Sequence, residues 1–518
     1  MSHALIAALQ NPALYPHPVE GFQVIETHIS WVLLTGAFAY KIKKPVDFGF
    51  LDFTSLEARR HFCNEELRLN QRLAQDLYLQ VLPICGSAEA PHLGGPGTPF
   101  EYALQMRQFP QSQLLGELQA RGELHSAHID ALAEQIAHFH LHAPQVPASH
   151  VLGSPDAVMA PVQQNFEQIR PLLGEQADLL QLDALEQWAH SSFTRLQPVL
   201  AARKAQGFIR ECHGDIHLGN ATLLDGRVTL FDCIEFNEPF RLIDIVADSA
   251  FLAMDLESRG LKSLARRFVN RWLELTGDYA ALDLLNFYKA YRALVRAKVN
   301  LFGLAHAQDA GQRAAILGEY RRYAGLAEDY SAIPSRALAI THGVSAVGKS
   351  HVSMRLVEEL GAIRVRSDIE RKRLFGEQAG EHAVGSGIYA ADASAATYQR
   401  LHELAGAALR AGFPVVLDAT YLQHAQRAAA CRVAEDCGVP FLILDCQAPD
   451  ALLASRLQQR QQEARDPSDA TLAVIQAQQA AREALSEAEL PYRRLIDTRD
   501  DSSLDALIAA VRQRLPGL

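Results

Sequence analysis

The chain has 518 residues, 48% of them hydrophobic and 21% charged, which is ordinary globular usage and excludes a disordered or fibrous design. Its formal charge of −11 argues against nucleic acid as a partner, because phosphate neutralisation needs a basic surface. Seven cysteines without a CxxC pair fit reduced thiols and a cytoplasmic setting, and neither a secretory leader nor an apolar run near the ~20 residues of a bilayer span is present.

The length predicts two or more domains. Residues 22–110 read mostly as strand: "ISWVLLTG" and "AFAYKIKK" flank a tight turn at Gly36, and "FEYALQMRQF" forms a third strand. Between them "SLEARRHFCNEELRLNQRLA" has helical spacing. Residues 112–330 are predominantly helical, interrupted by "ECHGDIHLGNATLLDGRVTLFDCIEF", in which "ATLLDGRVTLFD" reads as a hairpin turning at Asp225-Gly226. Pro334 and Ser335 mark the best boundary, and beyond them strands and helices alternate: "ALAITHG", "IRVRS", "FPVVLDAT", "PFLILDC" and "RRLIDT" are the strands of an expected parallel sheet.

"GVSAVGKS", Gly343 to Ser350, satisfies G-x-x-x-x-G-K-[ST] between an apolar strand and an amphipathic helix. Its glycines, Gly343 and Gly348 at the two ends, let backbone N–H groups close on phosphate oxygens. Lys349 places a cation on the terminal phosphates, and the Ser350 hydroxyl reaches Mg²⁺. Asp418 ends an apolar strand, where it either serves the metal and acceptor or caps a helix. Asp368 and Arg371 in "RSDIERKR" follow the second strand of this region, near the carboxyl ends that gather ligands, or lie on a capped surface helix. Arg456 and Arg460, one helical turn apart, either meet phosphates from a lid or are solvated. With "LDAT" and the run around "DPSDA", these motifs make residues 336–518 resemble the small P-loop kinases, including AAA-type and zeta-toxin-like members; Ala346 stands where glycine is common in that group.

The histidines and cysteines of the stretch 211–236 have no zinc-ligand spacing. H-G-D-x-H-x-x-N instead resembles the kinase pattern H-R-D-x-x-x-x-N, which makes Asp215 the base and Asn220 a Mg²⁺ ligand. Asp232 in "LFDC" takes the position of the second metal-binding aspartate, while Gly214 and His217 shape the loop. Lys41 matches the phosphate-pairing strand lysine, and Glu65 on the following helix orients it. Lys43 shares a strand face with Lys41 and competes with it, as Glu66 competes with Glu65.

Residues 20–330 thus resemble the aminoglycoside-phosphotransferase-like branch of the protein-kinase fold, without a G-x-G-x-x-G before Lys41. The whole chain resembles bacterial fusions of such a domain with a P-loop ATP-binding domain. That resemblance implies an α+β protein-kinase-like two-lobed domain followed by an α/β P-loop kinase domain with a parallel sheet, divided as 1–110, 111–330 and 331–518. It implies ATP and Mg²⁺ as cofactors and small-molecule hydroxyl acceptors as partners. The alternative is a sensor or switch in which one domain gates the other.

Overall fold

The computed structural model describes residues 2–49, 51–332, 335–376, 391–463 and 471–514, so Pro334 and the "DPSDA" run lie outside the described residues. Two compact units emerge: Met1–Leu256 with Tyr291–Ala324, and Glu257–Ala290 with Gly325–Leu518.

The first unit opens with strands β1 (Gln23–Glu26), β2 (Ser30–Leu34) and β3 (Phe38–Lys43), then helix α1 (Leu56–Ala74), β4 (Tyr78–Gly86), β5 (Pro91–Leu93) and β6 (Pro99–Arg107). They form one six-stranded antiparallel sheet in the order β1-β2-β3-β6-β4-β5. Gly36 supplies the positive φ of 96° that the β2–β3 turn requires. Leu5, Leu9 and Tyr15 of the N-terminal segment cluster with Trp31 and Leu33 on one face of β2 and with Tyr40 of β3. Ser55 caps α1 by accepting from the Ala58 N–H at 3.0 Å. The strand β4 escapes the sequence reading because Pro83 sits inside it; two register shifts accommodate the strand between β5 and β6.

Helices α2 (Ser126–His142) and α3 (Gln176–Ala205) precede β7 (Ile209–Glu211), β8 (Ala221–Leu224), β9 (Arg227–Leu230) and β10 (Leu242–Asp244). The expected hairpin is present: β8 pairs with β9, and Asp225 (φ 51°) and Gly226 (φ 75°) make a turn whose twist suits two antiparallel strands. Helix α4 (Ile245–Ser258) buries nearly every residue through Leu256, including Asp248 and Asp255. Acids so placed must find donors, and both find them in the loop of residues 213–220.

In the second unit, helix α5 (Lys262–Thr276) precedes β11 (Leu338–His342), α6 (Lys349–Leu360), β12 (Ile363–Arg366), α7 (Ser367–Phe375), α8 (Ala391–Arg410), β13 (Val415–Asp418), β14 (Phe441–Gln447), α9 (Asp450–Glu463), α10 (Leu472–Ala480) and β15 (Arg493–Asp497). The five strands are those read from the sequence. They form a wholly parallel sheet in the order β12-β13-β11-β14-β15. Helix α5 covers the exposed edge of β12: Asn270 Oδ1 accepts from the Arg364 N–H at 2.7 Å, and Asn270 Nδ2 donates to the Ala362 carbonyl at 3.2 Å. Among the described residues no helix is long and apolar enough to cross a membrane, and all seven cysteines are free thiols.

Candidate active sites

In the first unit the pleat of β3 turns Lys41 and Lys43 to one face, and both reach a single acid of α1. That acid is Glu66. Lys41 Nζ donates to Glu66 Oε1 at 2.6 Å and to Asp232 Oδ1 at 2.9 Å; Lys43 Nζ donates to Glu66 Oε2 at 2.6 Å and to Glu235. Burial opposes ionisation of Glu66, but the two ammonium groups outweigh it and hold the carboxyl down to about 2. The expectation of Glu65 is therefore corrected. Its carboxylate turns outward to Arg68 at 2.8 Å, and a helix places adjacent residues about 100° apart, so only one of the pair faces β3. Lys41, not Lys43, reaches Asp232; Lys43 lies deeper and links Glu66 to Glu235.

The loop from His213 to Asn220 hangs on α4. Asp248 accepts from the His213 and Gly214 N–H groups at 3.0 and 2.9 Å, and Asp255 from the Leu218 N–H at 3.0 Å. Gly214 (φ 92°) is forced, since a Cβ there would lie 2.8 Å from the Phe240 carbonyl oxygen. Asn220 Nδ2 donates to Asp215 Oδ2 at 3.2 Å, and His217 Nε2 lies 3.4 Å from the same oxygen. Lost hydration pushes the Asp215 carboxyl up, but His217, His213 and Arg296 prevail and hold it at about 2, so it is ionised at neutral pH. The Phe231 N–H donates to the Asn220 carbonyl at 3.0 Å and the His213 ring bonds the Phe231 carbonyl at 2.9 Å, which sets Asn220 beside the Asp232 turn. Asp232 itself adopts φ 66°, a conformation a non-glycine residue holds only when its surroundings impose it.

Lys41 thus meets Asp232 and Asn220 meets Asp215, and the backbone bond between residues 220 and 231 joins the segments that carry the two pairs. Asp248, Asp255 and Glu235 are additions, and Lys43, the competitor of Lys41, takes the deeper place between Glu66 and Glu235. Two acids seven residues apart in the otherwise apolar "IVADSAFLAMDLES" were the available signal.

In the second unit the phosphate loop joins β11 to α6 at the carboxyl edge of the sheet. Gly343 (φ 141°) would press a Cβ to 2.9 Å from the Cys446 carbonyl oxygen, and Gly348 (φ 105°) to 3.0 Å from Thr498. Ala346 adopts φ 62°, which explains why glycine suits that position; the methyl group is buried instead against Val344 and Val347. Lys349 Nζ arches back to the Val344 carbonyl at 2.8 Å. Asp418 accepts from Ser353 Oγ at 3.0 Å, one turn along α6 from Ser350, and lies 3.8 Å from Arg366. Burial, reinforced by Asp418, raises the Asp368 pKa against the pull of Arg366, Lys349 and Arg371. Arg371 donates to Ser394 Oγ at 3.2 Å. Arg456 braces the loop, donating to the Val347 carbonyl and to Thr498 Oγ1, both at 3.0 Å. The side chain of Arg460 lies outside the described residues.

Each unit has the fold of a phosphotransferase, and both folds are matched by family models. A model of the phosphotransferase enzyme family matches residues 56–285, and a model of the AAA domain matches residues 338–485. A Mycobacterium tuberculosis protein described as uncharacterized is 33% identical over 475 residues, 90% of this chain and 92% of that protein. The chain belongs to one family with it, a phosphotransferase domain followed by a P-loop domain. Among solved structures, a choline/ethanolamine kinase family protein from Mesorhizobium loti is similar at 12% identity, covering 62% of this chain and 94% of that one with a TM-score of 0.39. A gluconokinase from Sinorhizobium meliloti is similar at 18% identity, covering 35% and 98%, with a TM-score of 0.26.

The correction at α1 has a measurable consequence. In full-length protein carrying Lys349→Ala, Glu66→Gln is expected to weaken ATP binding about tenfold, as a charge-assisted bond to Lys41 is lost. Glu65→Gln, which touches only a surface pair, should change it less than about twofold. Equal effects would reverse the assignment.

Proposed function

We propose that the protein is an ATP-dependent kinase with two active sites, each moving the γ-phosphoryl group to the hydroxyl of a small molecule. The observation that carries this reading is the bridge Glu66–Lys41–Asp232 beside Asp215 and Asn220, which gathers a phosphate-binding cation, a proton acceptor and oxygen ligands at one place.

Both sites fit Mg²⁺ by donor chemistry: the side-chain oxygens of Asp232 and Asn220 in one, and of Ser350 with Asp418 nearby in the other, are the hard ligands that ion prefers. The bound ion supplies charge neutralisation at the phosphates. In the first unit Lys41, fixed by Glu66, binds the phosphates, and Asp215 orients the acceptor hydroxyl and takes its proton. In the second, the loop amides and Lys349 hold the phosphates, and Asp368, half-buried near Asp418 with a raised proton affinity, accepts the hydroxyl proton. Arg371 contributes positive charge beside Asp368, and Arg456 keeps the loop shape.

A sensor reading draws on one feature: the β1–β2 turn is short, with the Thr27 N–H donating to the Ser30 carbonyl at 2.9 Å, and carries no glycine-rich flap over Lys41. Equilibrium dialysis with ATP is expected to find two nucleotides per chain, one lost in Lys41→Met and the other in Lys349→Ala. Binding of one nucleotide only would remove a site. Two bound nucleotides with turnover at one site would favour the sensor.

A further inference from the structure

Helix α10 follows the arginine-bearing helix α9 and meets the phosphate loop through a polar side chain. The Ser345 N–H donates to Gln478 Oε1 at 2.7 Å. This contact is framed on both sides along the chain. Three residues earlier Ile475 is buried in the hydrophobic cluster that contains Val344 and Val347. Four residues later Arg482 Nη2 donates to Asp445 Oδ1 at 2.9 Å, and Arg482 Nε lies 3.2 Å from His342 Nε2, at the base of the loop. Residues 475 and 478 share one face of the helix, and Arg482, two residues past its end, anchors the chain at the base of the loop, so Gln478 is carried to the loop by flanking contacts and not by a chance rotamer.

The place it reaches has a chemical meaning. Lys349 Nζ, the cation for the terminal phosphates, bonds the carbonyl of Val344, the residue before Ser345. The ammonium group and the carboxamide therefore meet the same two-residue stretch. A carboxamide carries an acceptor and a donor on one carbon; with the carbonyl committed to Ser345, its NH₂ group stays beside the amides that cradle phosphate.

We infer that Gln478 reads the terminal phosphoryl group of a nucleoside triphosphate, its carbonyl fixing the Ser345 end of the loop and its NH₂ donating to the γ-phosphoryl oxygens. The assignment rests on the P-loop site being a nucleotide site, as proposed above. It makes α10 a specificity element that separates triphosphate from diphosphate.

The test is calorimetric titration of MgATP and MgADP into the full-length chain carrying Lys41→Met, so that the P-loop site is read alone. Gln478→Glu keeps an acceptor for Ser345 but replaces the donor with a negative oxygen. It is expected to weaken MgATP about tenfold and MgADP less than about twofold. Gln478→Met, uncharged and of similar length, should shift the ATP/ADP ratio in the same direction by a smaller factor, and serves if the glutamate variant does not fold. A ratio unchanged in both variants, with binding still dependent on Lys349, overturns this inference alone. A parent protein that binds neither nucleotide overturns the P-loop nucleotide site and this inference with it.

Discussion

Asp215→Asn should lower phosphoryl transfer by the first unit about 10³-fold, within the range that a positioned general base contributes. The loop that carries Asp215 does not depend on its carboxylate for shape. Asp248 and Asp255 hold the backbone at His213, Gly214 and Leu218, and the His213 ring ties it to Phe231. The amide of asparagine can keep a hydrogen bond with Asn220, yet it cannot take a proton from an acceptor hydroxyl. Circular dichroism and ATP affinity should therefore stay near those of the parent while turnover collapses. Because His217, His213 and Arg296 hold the folded carboxyl at about 2 against the cost of burial, Asp215 is already ionised at neutral pH. The parent's rate should accordingly show no Asp215 titration between pH 6 and 8. An Asp215→Asn protein that retained transfer within a factor of about ten would remove Asp215 from the mechanism.

Lys349→Ala should lower turnover at the second unit by about 10²–10³-fold, comparable to losing one preorganised charge stabiliser. The neighbouring cations do not replace it. Arg366 lies beside Asp418, Arg371 bonds Ser394, and Arg456 is committed to the loop carbonyl of Val347 and to Thr498. Steady-state assays of ATP turnover should show this loss, while Asp215-dependent product formation stays within about twofold if the sites act independently. Loss of both activities from the one substitution would point to coupling between the sites.

What could be read in advance depended on whether the residues of a site are contiguous. "HGDIHLGN" and "GVSAVGKS" each hold their chemistry within eight residues, so resemblance to known kinase and phosphate-loop patterns could pair Asp215 with Asn220 and Lys349 with Ser350 as candidates. The five parallel strands were also legible, since each is a short apolar run bounded by turn residues. The choice between Glu65 and Glu66 turned on which side of α1 faces β3. Cys63, Glu66, Leu69 and Asn70, all buried at helical spacing, mark that side. An acid on the buried side of a helix reads as an anomaly until its lysines are in view. Gln478 was not legible at all, because its role arises only when α10 folds onto a loop more than a hundred residues earlier in the chain. The strand β4 was hidden by Pro83, a residue that normally argues against a strand interior.

The decisive measurement is transfer of label from γ-labelled ATP into a fractionated small-molecule extract by the parent protein, Asp215→Asn, Lys349→Ala and the double variant. Two labelled compounds are predicted, one lost with each substitution and both absent with the double variant. ATP hydrolysis that depends on Lys349 with no compound labelled by any of the proteins would contradict a two-site kinase and leave the chain a nucleotide-driven switch.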